Sequence, residues 1–263
     1  MTTEQASQRT FFGASALLFA ASAAVTIMWC APGSAMGGMP MPGGWTMSMV
    51  WMRMPGQSWA AAAAAFLAMW VVMMTAMMLP SLVPSLWRYR QAVSWTGEAR
   101  PGWLTAVAGA GFFFVWTAFG AAIFPLGVAL ATFETHVPAA ARAVPIVVGA
   151  VVLLAGALQF SAWKTRYLAC CRESLGRGGA SPAGATLAWR HGLRLGLHCG
   201  CSCAGATAIL LAMGVLDLKV MAAVTSAITV ERVAPSGERI SRLIGAVCVV
   251  VGSVLIVRAG GAG

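Results

Sequence analysis

Residues 59–79 read WAAAAAAFLAMWVVMMTAMML and contain no charged side chain. A helix needs about 20 predominantly apolar residues to cross the hydrocarbon core of a bilayer, and this stretch meets that requirement. It also carries Met69, Met73, Met74, Met77 and Met78. The stretch therefore predicts a membrane-spanning helix whose surface is rich in thioether sulfur.

The rest of the chain has the same character. The 263 residues are 59% hydrophobic and 9% charged, with a mean hydropathy of +0.80, whereas about a quarter of the residues in a soluble domain are charged. We predict an all-α, polytopic transmembrane helix bundle of about seven spans, at residues 11–30, 59–79, 104–132, 145–163, 193–213, 216–230 and 240–257. Residues 1–58 form an N-terminal anchor helix and a Met-rich outer loop, and residues 59–258 form the bundle.

Proline and glycine set the expected helix boundaries. Pro80 and Pro84 are expected to end the second span, and Gly120 and Pro125 are expected sites of bending in the third. The connection at residues 164–190 is rich in glycine and is expected to be mobile. The span at 216–230 is the shortest of the seven.

Basic residues predict the orientation, because cytoplasmic loops hold the excess of Lys and Arg. Of the 17 basic residues, 13 fall on one side of the predicted spans and four on the other. This places the N-terminus in the cytoplasm and the C-terminus in the periplasm of a bacterial inner membrane. The same topology explains the net charge of +10, so no nucleic-acid partner is expected. If the first span is a cleaved signal peptide, six spans remain; its length and single nearby Arg favour a retained anchor.

Methionines form two neighbouring stripes on the second span. At about 100° per residue, Met69, Met73 and Met77 lie within about 80° of one another, and Met74 and Met78 lie beside them. Thioether sulfur is a ligand for soft ions such as Cu(I). The alternative is that methionine only fills gaps between packed helices.

A second group of methionines occupies the Gly/Pro-rich outer loop, at Met36, Met39, Met41, Met47 and Met49. Thioethers stay available as ligands in an oxidising compartment where thiols are lost. The loop is therefore a candidate site for capturing Cu(I). The alternative is a loop whose Met and Trp side chains lie in the headgroup region.

The strongest local signal is the sequence His198-Cys199-Gly200-Cys201-Ser202-Cys203. On a helix, Cys199 and Cys203 lie about 40° apart, whereas His198 and Cys201 share a different face. One regular helix cannot direct all four at one ion. Either another helix supplies the remaining ligands, or the nearby glycines allow local unwinding. The alternative to metal binding is close helix packing through small residues.

Two further features are candidates for auxiliary roles. Glu231 is a possible gate or proton site, paired with Arg232 either in the membrane or at its interface. The vicinal Cys170 and Cys171 are candidates for receiving or releasing an ion on the cytoplasmic side, where thiols stay reduced.

These residues resemble those of a bacterial family of uncharacterised, predicted metal-binding integral membrane proteins. The matching features are residues 69–84, the Cys170-Cys171-Arg172 sequence, the cysteine cluster from Cys199 to Cys203, and Glu231-Arg232; they extend over about residues 59–255. The family's cluster is similar to Cys-Leu-Gly-Cys-Cys-Trp, so the present chain gains a histidine and spaces its thiols differently. The resemblance implies a membrane location and metal binding.

The leading hypothesis is that the protein handles Cu(I) and is not an enzyme. Cys199, Cys203, Met73 and Met77 would bind the ion within the membrane, and a metal-accepting protein is an expected partner. Zinc is the second metal that these ligands suit. Two rivals remain open: a redox or cofactor-holding subunit that uses the cysteines, and an assembly subunit that binds no metal. No GxSxG, HExxH, phosphate-loop or CxxCH motif is present in the sequence.

Overall fold

A computed structural model of the chain describes residues 3–30, 38–95, 100–173 and 184–261, without the side chains of residues 3–4 and 169–173. The predicted all-α class is confirmed. The helices are α1 (Thr3–Cys30), α2 (Trp59–Trp95), α3 (Pro101–His136), α4 (Pro138–Leu158), α5 (Ala162–Glu173), α6 (Ala185–Met213), α7 (Leu218–Val233) and α8 (Gly237–Gly261).

A small β-hairpin lies between α1 and α2, within the Met-rich loop. Its antiparallel strands are β1 (Gly38–Met41) and β2 (Trp45–Ser48), and Met39 is the register partner of Met47. A single 3-10 turn, Met49–Trp51, follows. The prolines and glycines of the loop thus limit regular structure to two strands of four residues.

Six of the described helices are long and apolar enough to cross a membrane, namely α1, α2, α3, α4, α6 and α8. The predicted span at 216–230 corresponds to α7, which has only 16 residues. At 1.5 Å per residue, α7 is about 24 Å long, less than the roughly 30 Å thickness of the hydrocarbon core. The sixth predicted span is therefore a helix too short to be counted among the candidate spans.

The second span differs from its prediction in length. The helix does not end at Pro80; α2 runs for 37 residues through both Pro80 and Pro84. Buried Leu82 and Leu86 lie in this extension, where Gly109 of α3 faces Leu86. Packing against neighbouring helices thus outweighs the lost backbone hydrogen bonds, as in many transmembrane helices that contain proline.

Close contacts at glycines establish how α3 packs. Gly109 faces Leu86 and Gly120 faces Trp70, so α2 and α3 are antiparallel. Gly111 faces Trp189, and further along both helices Phe119 faces Gly200. Helices α3 and α6 therefore run in the same direction. The α2–α3 connection and the start of α6 lie at one end of the bundle, which we call the basic end because Arg88, Arg90, Arg100, Arg190 and Arg194 lie there.

The opposite end carries the β-hairpin and is called the hairpin end. Helix α4 starts there and pairs antiparallel with α8: Gly149 faces Ile256, and Gly156 faces Gly245 and Cys248. Because α8 therefore starts at the basic end, the short α7 returns the chain from the hairpin end, where α6 stops. The C-terminal end of α8 lies at the hairpin end.

A tight connection joins α6 to α7. Gly214 ends α6 with a φ of 127°, a conformation that L side chains rarely adopt. Three residues later, the Asp217 carboxylate accepts hydrogen bonds from the backbone N–H groups of Lys219 and Val220, which caps α7. This geometry lays α7 beside the second half of α6 and brings its last turn to the middle of that helix.

Candidate metal centre

The sulfur-bearing faces of α2 and α6 meet at Met78 and Cys199. The Cys199 Sγ atom lies 3.9 Å from the Met78 Sδ atom, and the two residues are 0% and 1% exposed. Both helices pack on α3. Met78 is near the midpoint of α2, and Cys199 is at the midpoint of α6. The two helices thus bring a thiol and a thioether together inside the bundle.

Cys203 lies one helical turn beyond Cys199, on the same face of α6. It is buried, and its sulfur lies 3.7 Å from the Ser202 hydroxyl oxygen. Helix α6 is regular throughout, so its glycines do not unwind it. The sulfur atom that contacts Cys199 comes from a different helix, α2. We call Met78, Cys199 and Cys203 the sulfur centre.

The other methionines of α2 lie in the same buried cluster but in different positions. Met73 and Met77 were the expected partners of the cysteines, whereas the thioether that contacts Cys199 belongs to the neighbouring stripe. Met69, Met73, Met74 and Met77 are all buried, together with Trp70 and Trp116. The four methionines lie on α2 between the sulfur centre and the hairpin end, so buried thioether side chains extend from the sulfur centre toward that end.

His198 and Cys201 take the other face of α6, as the helical spacing predicts. Both are half-buried, and the His198 ring lies 6.1 Å from the ring of Tyr167 on α5. Their placement separates them from the side on which Cys199 meets Met78. In the described ranges, no group of three or more His, Cys, Asp or Glu residues is arranged to hold a metal ion, so the sulfur centre combines two thiols with a thioether.

The guanidinium group of Arg232 completes one wall of the sulfur centre. Its Nη2 atom lies 3.3 Å from Cys203 Sγ and donates to Ser202 Oγ at 2.9 Å. The same nitrogen is 3.5 Å from the Cys199 carbonyl oxygen, and Nη1 is 3.5 Å from Ser81 Oγ. One side chain from the last turn of α7 thus connects α2, α6 and α7 around the two thiols.

A buried ion pair lies next to Arg232. Glu231 was a candidate partner of Arg232 in the sequence, and in the structure its Oε2 atom accepts a hydrogen bond from Lys164 Nζ at 2.8 Å, with the two side chains 5% and 6% exposed. Lys164 also donates to the Ser202 carbonyl oxygen at 2.7 Å. The sequence placed Lys164 in a mobile connection and did not predict its buried ion pair. Its position directly after the fourth predicted span could have indicated a residue near the membrane interior. In the structure, Lys164 lies on α5 and its side chain is buried.

The hairpin methionines lie at the other end of the bundle. Met41 and Met47 are buried against Ala131 and Ala141, whereas Met39 and Met49 are half-buried. The hairpin is fixed to α4 by Trp45, whose Nε1 donates to the Ala141 carbonyl oxygen at 2.8 Å. Met36 and the side chains of Cys170 and Cys171 lie outside the described residues.

A column of aromatic rings lies between the hairpin and the methionines of α2. Trp51 packs on Phe66 at 5.3 Å between ring centroids, and Phe66 stacks on Trp70 at 5.8 Å. Phe124 covers Phe66 from α3 at 5.1 Å, and Trp70 Nε1 donates to the Trp116 carbonyl oxygen at 2.8 Å. Closely packed rings therefore separate the outer methionines from the sulfur centre.

Comparison with known proteins identifies one family. A family model described as PpoB2, copper chaperone, matches residues 67–255, which is most of the chain and contains the whole sulfur centre. No curated protein and no solved structure matches the chain.

Proposed function

The chain belongs to the PpoB2 copper chaperone family, and from that premise we propose that it binds Cu(I) at the sulfur centre and passes the ion to an accepting protein. Cys199 and Cys203 supply two thiolates and Met78 supplies a thioether. The observation that carries this proposal is the 3.9 Å contact between Cys199 Sγ and Met78 Sδ, because it joins two soft ligands from distant parts of the chain.

The ligand chemistry favours copper over zinc. Thiolate and thioether ligands select Cu(I), whereas structural zinc sites have four ligands from Cys, His and carboxylates. The described sulfur centre has two such ligands, and His198 lies on another face of α6. Three sulfur atoms match the low coordination number of a soft monovalent ion.

The bundle is proposed to lie in a bacterial inner membrane with its basic end in the cytoplasm. This orientation follows from the excess of Lys and Arg at that end, and it leaves the hairpin methionines outside. A Cβ atom on Gly205 of α6 would lie 3.4 Å from Ala155, three residues before α4 ends. The sulfur centre is therefore proposed to lie toward the cytoplasmic side of the apolar layer.

The proposed route starts at the hairpin and ends at a protein acceptor. Met39, Met41, Met47 and Met49 would capture Cu(I) outside, and Cys170 and Cys171 would receive it on the cytoplasmic side. The protein would carry the ion without chemical conversion, so we assign it no enzymatic activity.

Copper binding by the full-length protein in nanodiscs tests this function. Under anaerobic, reducing conditions, the wild type should bind Cu(I) with sulfur-only coordination in X-ray absorption spectra and without visible absorption. The Cys199→Ser/Cys203→Ser variant should lose this binding. Cys30→Ser is the matched control, since Cys30 is half-buried at the hairpin end of α1. Unchanged Cu(I) affinity in the double variant would refute the assigned ligands.

A further inference from the structure

Arg232 supplies a fixed positive charge beside the sulfur centre. We propose that this charge sets metal selectivity, favouring a monovalent soft cation over a divalent one. The inference rests on the proposed function, since it takes Cys199 and Cys203 as the ligands. It concerns a residue that specifies which ion binds without being a ligand itself.

The contacts of Arg232 hold the charge in place. Nη2 is bonded to Ser202 Oγ at 2.9 Å and Nη1 is 3.5 Å from Ser81 Oγ, so side chains from two helices orient the guanidinium plane. Nη2 lies 3.3 Å from Cys203 Sγ. Arginine remains protonated under all conditions that a folded protein meets. The sulfur of Cys203 therefore always faces a cation.

Charge balance at the centre then depends on the ion. Lys164 and Glu231 form a salt bridge and together contribute no net charge. Two thiolates, Arg232 and a monovalent cation are neutral as a set, whereas the same groups with a divalent cation carry one net positive charge. Burying an uncompensated charge in a medium of low dielectric constant is costly. The described charges around the thiols thus favour Cu(I) or Ag(I) over Zn(II) or Cd(II).

Arg232 also links three helices, so a structural role must be separated from an electrostatic one. Arg232→Gln removes the charge and keeps a hydrogen-bond donor, whereas Arg232→Lys keeps the charge. Ser81→Ala removes one partner of the guanidinium group and leaves its charge in place. A purely structural role would change stability in these variants without changing which ion is preferred.

Glu231→Gln provides a test of opposite sign. It leaves Arg232 intact and removes the negative charge that balances Lys164, so the centre becomes more positive. If charge determines selectivity, this variant should discriminate against divalent ions more strongly than the wild type. Because Glu231→Gln leaves Lys164 with a buried charge and lowers stability, a second neutral variant, Arg232→Met, keeps the inference testable if Arg232→Gln fails to fold.

The experiment measures the ratio of the Zn(II) and Cu(I) dissociation constants for full-length protein in nanodiscs, with Cd(II) and Ag(I) as a second pair. Arg232→Gln should shift the ratio toward the divalent ion by about tenfold or more, and Glu231→Gln should shift it the other way. Arg232→Lys and Ser81→Ala should keep the wild-type preference.

An unchanged ratio in folded Arg232→Gln would overturn the inference while leaving Cu(I) binding intact. If Arg232→Gln does not fold, an unchanged ratio in folded Arg232→Met would overturn it. A wild-type protein that binds no Cu(I) would instead refute the proposed function, and with it the selectivity role.

Discussion

The sulfur atoms of Met78 and Cys199 lie 3.9 Å apart, although 121 residues separate them in the chain. Both helices that carry them pack on α3, which places the two side chains at one depth. The contact is buried among large apolar side chains such as Trp116 and Phe112. The proposed function and this geometry lead to the following predictions.

Replacing Met78 with Leu should weaken Cu(I) binding by about tenfold, because one of three sulfur ligands is lost while the side-chain volume is kept. Met74→Leu is the matched control, since Met74 is equally buried on α2. Both dissociation constants can be measured by competition with a chromophoric Cu(I) chelator. Equal affinities in the two variants would exclude Met78 as a ligand.

Replacing Lys164 with Met should destabilise the protein by about 3–5 kcal/mol, because Glu231 would keep a buried charge without its partner. The Lys164→Met/Glu231→Met variant should recover most of this loss, since neither charge remains. Thermal unfolding in detergent measures both effects. The ion pair would be unimportant for stability if the single variant unfolded at the wild-type temperature.

Gly156→Ala should separate α4 from α8, since a Cβ atom at Gly156 would lie 2.8 Å from both the Gly245 carbonyl oxygen and Cys248 Cβ. Overpacking at a close helix contact costs about 1–3 kcal/mol. Gly13→Ala on α1 is the control, because a Cβ atom there meets nothing within 4 Å. Thermal unfolding of both variants in the same detergent measures the difference in stability. Equal unfolding temperatures would contradict close packing of α4 against α8 at Gly156.

Phe66→Ala should open the aromatic column between the hairpin and the sulfur centre. Phe66 contacts Trp51, Trp70 and Phe124, and truncating it removes the ring that these three share. Ag(I) supplied from the hairpin side of oriented nanodiscs should then reach the thiols several times faster, as measured by protection from alkylation.

Phe114→Ala is the matched control, since Phe114 is an exposed ring of α3. If Phe66→Ala and Phe114→Ala load Ag(I) at the same rate, the column does not limit access.

Local sequence was sufficient for the features that depend on helical repeat and hydropathy. Residues 59–79 predict an apolar helix, and the spacing of four residues predicts that Cys199 and Cys203 share a face of α6. Both features are present in the structure, because they follow from the geometry of one helix. The metal-related part of the resemblance likewise agrees with the copper chaperone family that matches the chain.

The sequence alone did not predict which side chains of different helices contact each other. The periodicity of α2 offered two methionine stripes, and the sequence favoured Met73 and Met77 as partners of the cysteines. Only the tertiary structure shows that Met78 contacts Cys199. Pro80 predicted the end of the helix, but α2 continues to Trp95, and Leu86 in this extension packs on α3. Composition thus determined an all-α chain with soft ligands, and the packing of α5, α6 and α7 decided that Lys164 pairs with Glu231 and that Arg232 faces Cys203. A helical repeat fixes directions within one helix, whereas the placement of side chains from different helices depends on the summed packing of the whole bundle.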